Sequence, residues 1–419
     1  MLVHWIWFAH RPNLTDRVKA VLMQHFSDPE DIFYADKGSF AHLDFLTEEA
    51  RESLTDKNLI PAEEILETCS REKIHILTYR DASYCARLKN IADPPMVLYY
   101  KGRLPDWDAR PVIGIVGTRK ASAYGLTAAK RMGYQIGRCG GIVVSGMAFG
   151  IDGMAMSGAL TSGQPVVGVL GCGVDIVYPL SNKGLFADTE QYGCILSEFA
   201  PGTPPVKWNF PKRNRIISGL SCGVLVVEAP EKSGALITAR QAAEQGRDVF
   251  AVPGNIDMPG FAGSNALLRD GAILVSSGWD VVGEYEALYP EKIRKDTAPA
   301  HLKAYPDEVR RAEEEAERKI AKVAQKTRQP APKSDPAEEN TKKDIDKADF
   351  PPYSDLNKPK PKLSPEEQQI VDALNGGERL VDDVIAETGL TTGKLLASLT
   401  MLELKGIIRR LPGKRIAIK

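Results

Sequence analysis

Residues 111–146 read "PVIGIVGTRKASAYGLTAAKRMGYQIGRCGGIVVSG". An apolar run is followed by Gly117, Thr118, Arg119 and Lys120, then by an amphipathic stretch, then by a second apolar run that ends at Ser145 and Gly146. A strand that is apolar throughout has both faces covered, and a helix between two such strands makes them parallel neighbours. The pattern continues outward in "PVVGVLG", "CILSE", "GVLVVEA", "DVFAVPG" and "AILVSS", with a further helical stretch in "SGALITARQAAEQG". The region 76–290 therefore predicts an α/β domain with a parallel sheet. In such sheets ligands bind beyond the carboxyl ends of the strands. Small residues at those ends, Gly117, Ser145, Gly146, Gly171 and Gly254, let a ligand approach the backbone.

Around this core the composition changes. Residues 1–75 carry helical spacing in "LTDRVKAVLMQHF", "DPEDIFYA" and "LTEEARESLTD" and predict a small helical domain. Its size suits a SAM or helix-hairpin-helix module, but no glycine-rich hairpin of the DNA-binding kind is present. Residues 291–362 are rich in Lys, Glu, Asp, Pro and Ala and read as a linker that cannot build a core. Residues 363–419 predict three helices and a hairpin turning at Pro412–Gly413, the layout of a winged helix.

The formal net charge is -1, so any nucleic-acid binding must come from a local patch. Cysteines at 69, 85, 139, 172, 194 and 222 form no C-x-x-C pair, which suits a reducing cytoplasm and argues against a zinc site. The apolar start lacks a basic n-region, and no apolar run is long enough to span a bilayer, so neither secretion nor a membrane location is expected. Histidines stand at 4, 10, 25, 42, 75 and 301, outside the 76–290 domain. No G-x-x-x-x-G-K-[ST] loop and no G-x-S-x-G elbow occurs. The usual catalytic equipment is missing, and no metal or cofactor is expected.

Anion-binding features are plentiful. Arg119 and the helix start near Ser122 suit a phosphate, as do the Ser145–Gly146 and Ser233–Gly234 loops. Each loop alone also fits a plain turn. In "FPKRNRIISGLS", residues 210–221, Lys212, Arg213 and Arg215 surround Asn214 at a predicted helix start. Cations there oppose the helix dipole unless an anion joins them.

The segments "DPPMVLYYKG", "GIVGTRKASAYG", "VSGMAFGIDGMAMSGAL", "GVLGCGVDIVYP", "LSEFAPGTPP", "FPKRNRIISGLS", "VVEAPEKSGALITARQAAEQGRDVFAVPG" and "GSNALLRDGA" together resemble the bacterial DNA-processing protein A family (DprA, also called Smf). The resemblance is dense over about 93–280, and the 363–419 domain is similar to the winged helix many members carry. It implies an extended Rossmann-like core that binds single-stranded DNA without catalytic turnover. It also implies a homodimer that delivers RecA onto incoming strands during natural transformation. The phosphate contacts it implies are Gly117, Thr118, Arg119, Lys212, Arg213, Asn214 and Arg215, and its Ser-Gly loops fall at Ser145, Gly146, Ser233 and Gly234; Lys120 joins this set from its place beside Arg119 in the same loop. One departure is Tyr84–Cys85, where the family has Tyr-Pro.

Two other readings compete. The core distantly resembles nucleotide phosphoribohydrolases of the LOG type, but Gln241 stands where their Glu works on the sugar, and an amide is no general base. A regulator could instead use the winged helix, whose basic wing holds Arg409, Arg410, Lys414, Arg415 and Lys419 and suits duplex DNA or a protein partner.

Overall fold

The computed structural model describes residues 1–296 and then 365–374, 379–388, 395, 399, 402, 408–411 and 415–418. The chain divides into two compact units, one within 1–324 and one within 325–419.

The first unit opens with α1 (Leu2–Ala9), α2 (Asp16–His25), α3 (Pro29–Tyr34), α4 (Glu48–Thr55) and α5 (Ile60–Arg71). The side chains of Thr15, Asp28 and Thr47 accept N–H bonds at the starts of α2, α3 and α4, which fixes where those helices begin. The apolar chain start is itself a helix, with Trp5, Ile6, Trp7 and Phe8 buried. These residues share one hydrophobic cluster with residues of the sheet, including Val97 and Tyr99. The helical segment and the sheet therefore form one body.

The sheet contains β1 (His75–Thr78), β2 (Val97–Gly102), β3 (Val112–Val116), β4 (Ile142–Ser145), β5 (Val166–Val169), β6 (Cys194–Ser197), β7 (Gly223–Val226), β8 (Asp248–Ala251) and β9 (Ile273–Leu274). Its order is β1-β2-β6-β5-β4-β3-β7-β8-β9. Helices α6 (Ala86–Lys89), α7 (Ala123–Arg138), α8 (Ile151–Thr161), α9 (Lys183–Tyr192), α10 (Asn209–Leu220), α11 (Gly234–Glu244), α12 (Ala262–Arg269) and α13 (Gly278–Val282) accompany it. From β3 the chain steps outward to β4, β5 and β6, then returns to place β7 on the other side of β3. That reversal is the topological switch of a Rossmann-like fold. Strand residues alternate between two cores: Ile113 and Ile115 join Ala129 and Met132 of α7, while Val112 and Val116 join Ile216 and Leu220 of α10. Both faces are covered, as the all-apolar strands require.

The sheet is not wholly parallel. β1 and β2 add an antiparallel edge, β2 pairing with β6. Residue 75 also opens β1, so one histidine does lie in the sheet, contrary to the sequence reading. Its ring stacks on Tyr100 at 5.0 Å, far along the strand order from the switch. Among the described residues no helix is long and apolar enough to cross a membrane.

The second unit has α14 (Pro365–Ala373), β10 (Arg379–Leu380), α15 (Val381–Thr388), β11 (Ile408–Leu411) and β12 (Arg415–Ile418). Its antiparallel sheet runs β10-β12-β11. Ile370, Leu374, Val384, Leu395, Leu399, Leu402, Ile408 and Ile416 form its core. Helices backed by a small terminal β-sheet are the winged-helix arrangement. The expected turn at Pro412–Gly413 and the linker beyond 296 lie outside the described residues.

Candidate nucleic-acid interface

The loops after β3 and β4 interlock at the carboxyl edge. Gly150 has a φ of 84°, and a Cβ there would lie 2.5 Å from the carbonyl oxygen of Thr118, so only glycine fits. Met147 also adopts the left-handed region, with φ of 53°. For a non-glycine residue this conformation costs roughly 1–2 kcal/mol. It is held by the Asn182 amide, which donates to the Met147 carbonyl oxygen at 3.0 Å. The result turns Phe149 outward, 58% exposed.

A cavity of about 180 Å³ opens there, lined by Arg119, Gly146, Phe149, Tyr178, Phe210 and Arg213 among others. Arg119 is exposed, and its guanidinium carbon lies 5.3 Å from the centre of the Phe210 ring. Tyr178 meets Phe210 at 5.5 Å. Arg213 is 4% exposed. It donates to the carbonyl oxygens of Gly146, at 2.8 Å, and Val169, joining the ends of β4 and β5. A Cβ on Gly146 would collide with that guanidinium at 2.6 Å. Burial pushes the Arg213 guanidinium down to about 10, with Asp152 pulling the other way, so it stays charged at neutral pH. Asp152 is buried too, and burial raises its carboxyl against the pull of Arg213 and the N–H groups of Gly117 and Gly146.

The expected residues divide into groups. Arg119, Gly146 and Arg213 come together at the cavity. Ser145 is fully buried, its hydroxyl donating to the Ile115 carbonyl oxygen at 2.5 Å. Gly117 and Thr118 lie behind this edge, the Thr118 N–H donating to the Glu228 carbonyl oxygen at 2.8 Å. Lys120 is exposed on the same loop, and Asn214 is half-buried on α10. Ser233 accepts from the Ala235 N–H at the start of α11, and Gly234 beside it faces open space.

Two expectations need correction. The start of α7 is not free for phosphate. The Ser122 hydroxyl accepts from the Gly125 N–H, and the Glu228 carboxylate accepts from the Ser122 N–H at 3.0 Å and its hydroxyl at 2.7 Å. An internal carboxylate already occupies the crevice between β3 and β7. The cations opening α10 are also not left to oppose its dipole alone. Arg215 is 4% exposed and lies 2.8 Å from Asp16, 2.7 Å from Glu198 and 3.1 Å from Asp93. Lys212 reaches Asp16 at 3.0 Å and Glu198 at 3.3 Å while remaining 45% exposed. These ion pairs tie α10 to α2.

Phe149, Tyr178 and Phe210 were not singled out by spacing. Their only signal is an aromatic next to Gly or Pro in "GMAFG", "DIVYP" and "NFPKR". Chemically the cavity offers aromatic faces, guanidinium groups and a strand-end backbone. It is smaller than the roughly 300–1,000 Å³ of small-molecule sites, and it suits one planar ring with its phosphate outside.

The DNA recombination-mediator protein A family matches residues 75–286, and the DprA winged helix domain matches residues 354–414. The chain is 32% identical to Protein Smf of Synechocystis, covering 98% of this chain and 97% of that one. It is 41% identical to DNA processing protein DprA of Bacillus subtilis, over 56% of this chain and 78% of the relative. The X-ray structure of DprA from Streptococcus pneumoniae superposes with a TM-score of 0.60 at 33% identity, covering 68% of this chain and 98% of that one. With its switched sheet, its aromatic and arginine cavity and its winged-helix unit, the chain belongs to the DNA processing protein A (DprA/Smf) family of DNA recombination mediators.

Proposed function

We propose that this protein binds single-stranded DNA at the Arg119–Phe210 cavity and acts there as a carrier, without turning over nucleotide. The observation that carries the reading is that exposed aromatic and guanidinium groups meet at one sheet edge. Duplex DNA keeps its bases stacked and offers no free ring face, whereas an unpaired strand does. Arg119 and Lys120 supply exposed charge for the flanking phosphates. Arg213 acts from beneath as a fixed positive wall.

In a cell this activity belongs with homologous recombination. As in the resemblance, the partners are RecA and a second copy of this chain, and the setting is the cytoplasmic handling of incoming strands. The winged helix supplies a separate contact to duplex DNA or protein. The phosphoribohydrolase alternative is disfavoured by Gln241, which lies on α11 beside α10 and not at the cavity.

Equilibrium binding to matched single-stranded and duplex oligonucleotides across a salt series tests the proposal. Single strands should bind more tightly, with a log–log salt slope of roughly 0.7 per phosphate contact. Equal affinity for duplex, or AMP cleavage that Arg119→Ala abolishes, would overturn it.

A further inference from the structure

On the other side of α10 from the Arg213 cavity, a groove of about 510 Å³ runs between α10 and α2. Its walls carry Arg17, Lys19, Lys212 and Arg215. Against these four cations stand three carboxylates, Asp16 and Asp93 in the groove and Glu198 beside it, which leaves one positive charge over. Arg11, also in the wall, is matched by Asp56 at 2.8 Å. His10 adds no charge, since burial holds its ring down to about 4.

Two further observations point to an anion from outside the chain. Arg215 is more than nine-tenths buried in the groove wall, and its Nη1, closed off from solvent, has no hydrogen-bond partner, so its charge acts on the groove through the wall. The start of α10 also has no acidic residue in its first turn and, unlike α7, no side-chain cap. Its N-cap residue, Trp208, is 75% exposed. An uncapped twelve-residue helix beside surplus cations is an anion site by dipole and by charge.

We propose that this groove holds a backbone phosphate of the same single strand, which crosses the open start of α10 after leaving the Arg213 cavity. The inference rests on the single-strand reading above and extends it to the N-terminal helices. α10 then serves both sites, with Arg213 under the first and Lys212 and Arg215 along the second. Trp208 stands at the crossing as a face for a base. The carboxylates keep the groove assembled without the strand and limit its excess charge, so a phosphate here adds to a strand already held.

The test uses Arg17→Glu in the full chain, with thymidine homopolymers of increasing length. Arg17 is exposed and has no ion pair among the described residues, so the fold should stand, which a melting curve checks. The variant should bind the shortest strands like the parent and lose about tenfold on strands long enough to span both sites. Lys212→Gln should behave likewise, read at matched folded fraction. Equal loss at every length, or no loss, overturns the groove assignment. So does thymidine monophosphate that stabilises the parent to heat but not Arg17→Glu, because it makes the groove a free-nucleotide site. Failure of the parent to bind any single strand overturns the underlying reading instead.

Discussion

Asp16 and Arg215 stand 199 positions apart in the chain and 2.8 Å apart in space, a carboxylate of α2 against a guanidinium of α10. Burial raises the Asp16 carboxyl, but Lys19, Arg215 and Lys212 outweigh it and hold the group at about 2, below its ordinary 3.8. A carboxylate depressed on folding stabilises the protein above its unfolded pKa and loses that contribution as pH falls through the folded value. The window is therefore about pH 4 down to about 2, and the contribution is about 2 kcal/mol. Asp93, raised by burial, offsets part of it as it protonates. Chemical denaturation across this range should show the parent losing stability more steeply than Asp16→Asn.

The three arginines should separate cleanly. Arg119→Ala should weaken single-strand binding and leave the melting temperature unchanged, since the side chain is exposed. Arg213→Ala should cost about 3 kcal/mol of stability, because two buried carbonyl oxygens lose a charged donor. Arg215→Ala should cost about 3–5 kcal/mol, because Asp16 and Glu198 are left buried without it. Paired melting and binding curves check all three. An Arg215→Ala protein as stable as its parent would contradict the structural assignment.

Phe149 is presented by a strained loop and buries little of itself, so Phe149→Ala should fold normally. If a base stacks on it, the change should weaken binding by about 1–3 kcal/mol with little dependence on sequence. Phe149→Trp should retain binding. Fluorescence anisotropy with pyrimidine and mixed strands provides the readout.

Trp5, Trp7 and Trp107 are nearly inaccessible and Trp279 is half-buried, whereas Trp208 is 75% exposed. Adding a single strand should therefore quench the intrinsic fluorescence chiefly through Trp208, and Trp208→Phe should remove most of the change. A quench that survives this substitution would place the strand elsewhere.

Much of the core was legible because buried parallel strands are continuous apolar runs: β3 to β8 each fall inside such a run. β1 and β2 were not, because "HILT" and "VLYYKG" are short and carry His, Thr and Lys at an edge where pairing partners, not apolarity, decide the strand. Gly146, Arg119 and Arg213 were readable as basic and small residues near strand ends. Their aromatic companions gave a weaker signal, since an aromatic in a loop is as often packed as presented. The fate of Arg215 could not be read at all. Its cluster looks like a phosphate grip until Asp16 arrives from the far end of the chain. Glu228 is similar, capping Ser122 from 106 positions away.

That cap has a consequence for life among small metabolites. A cell is crowded with free nucleotides, and a Rossmann-like crevice left open would be saturated by them. Here any pyrophosphate approaching the start of α7 meets the carboxylate of Glu228, which repels it and is already bonded to Ser122. Free nucleotide added to the protein should therefore leave its melting temperature unchanged, and a rise would show that the start of α7 is open after all. On the proposed reading, a polymer gains its hold on the neighbouring edge because its linked phosphates engage one after another at high local concentration.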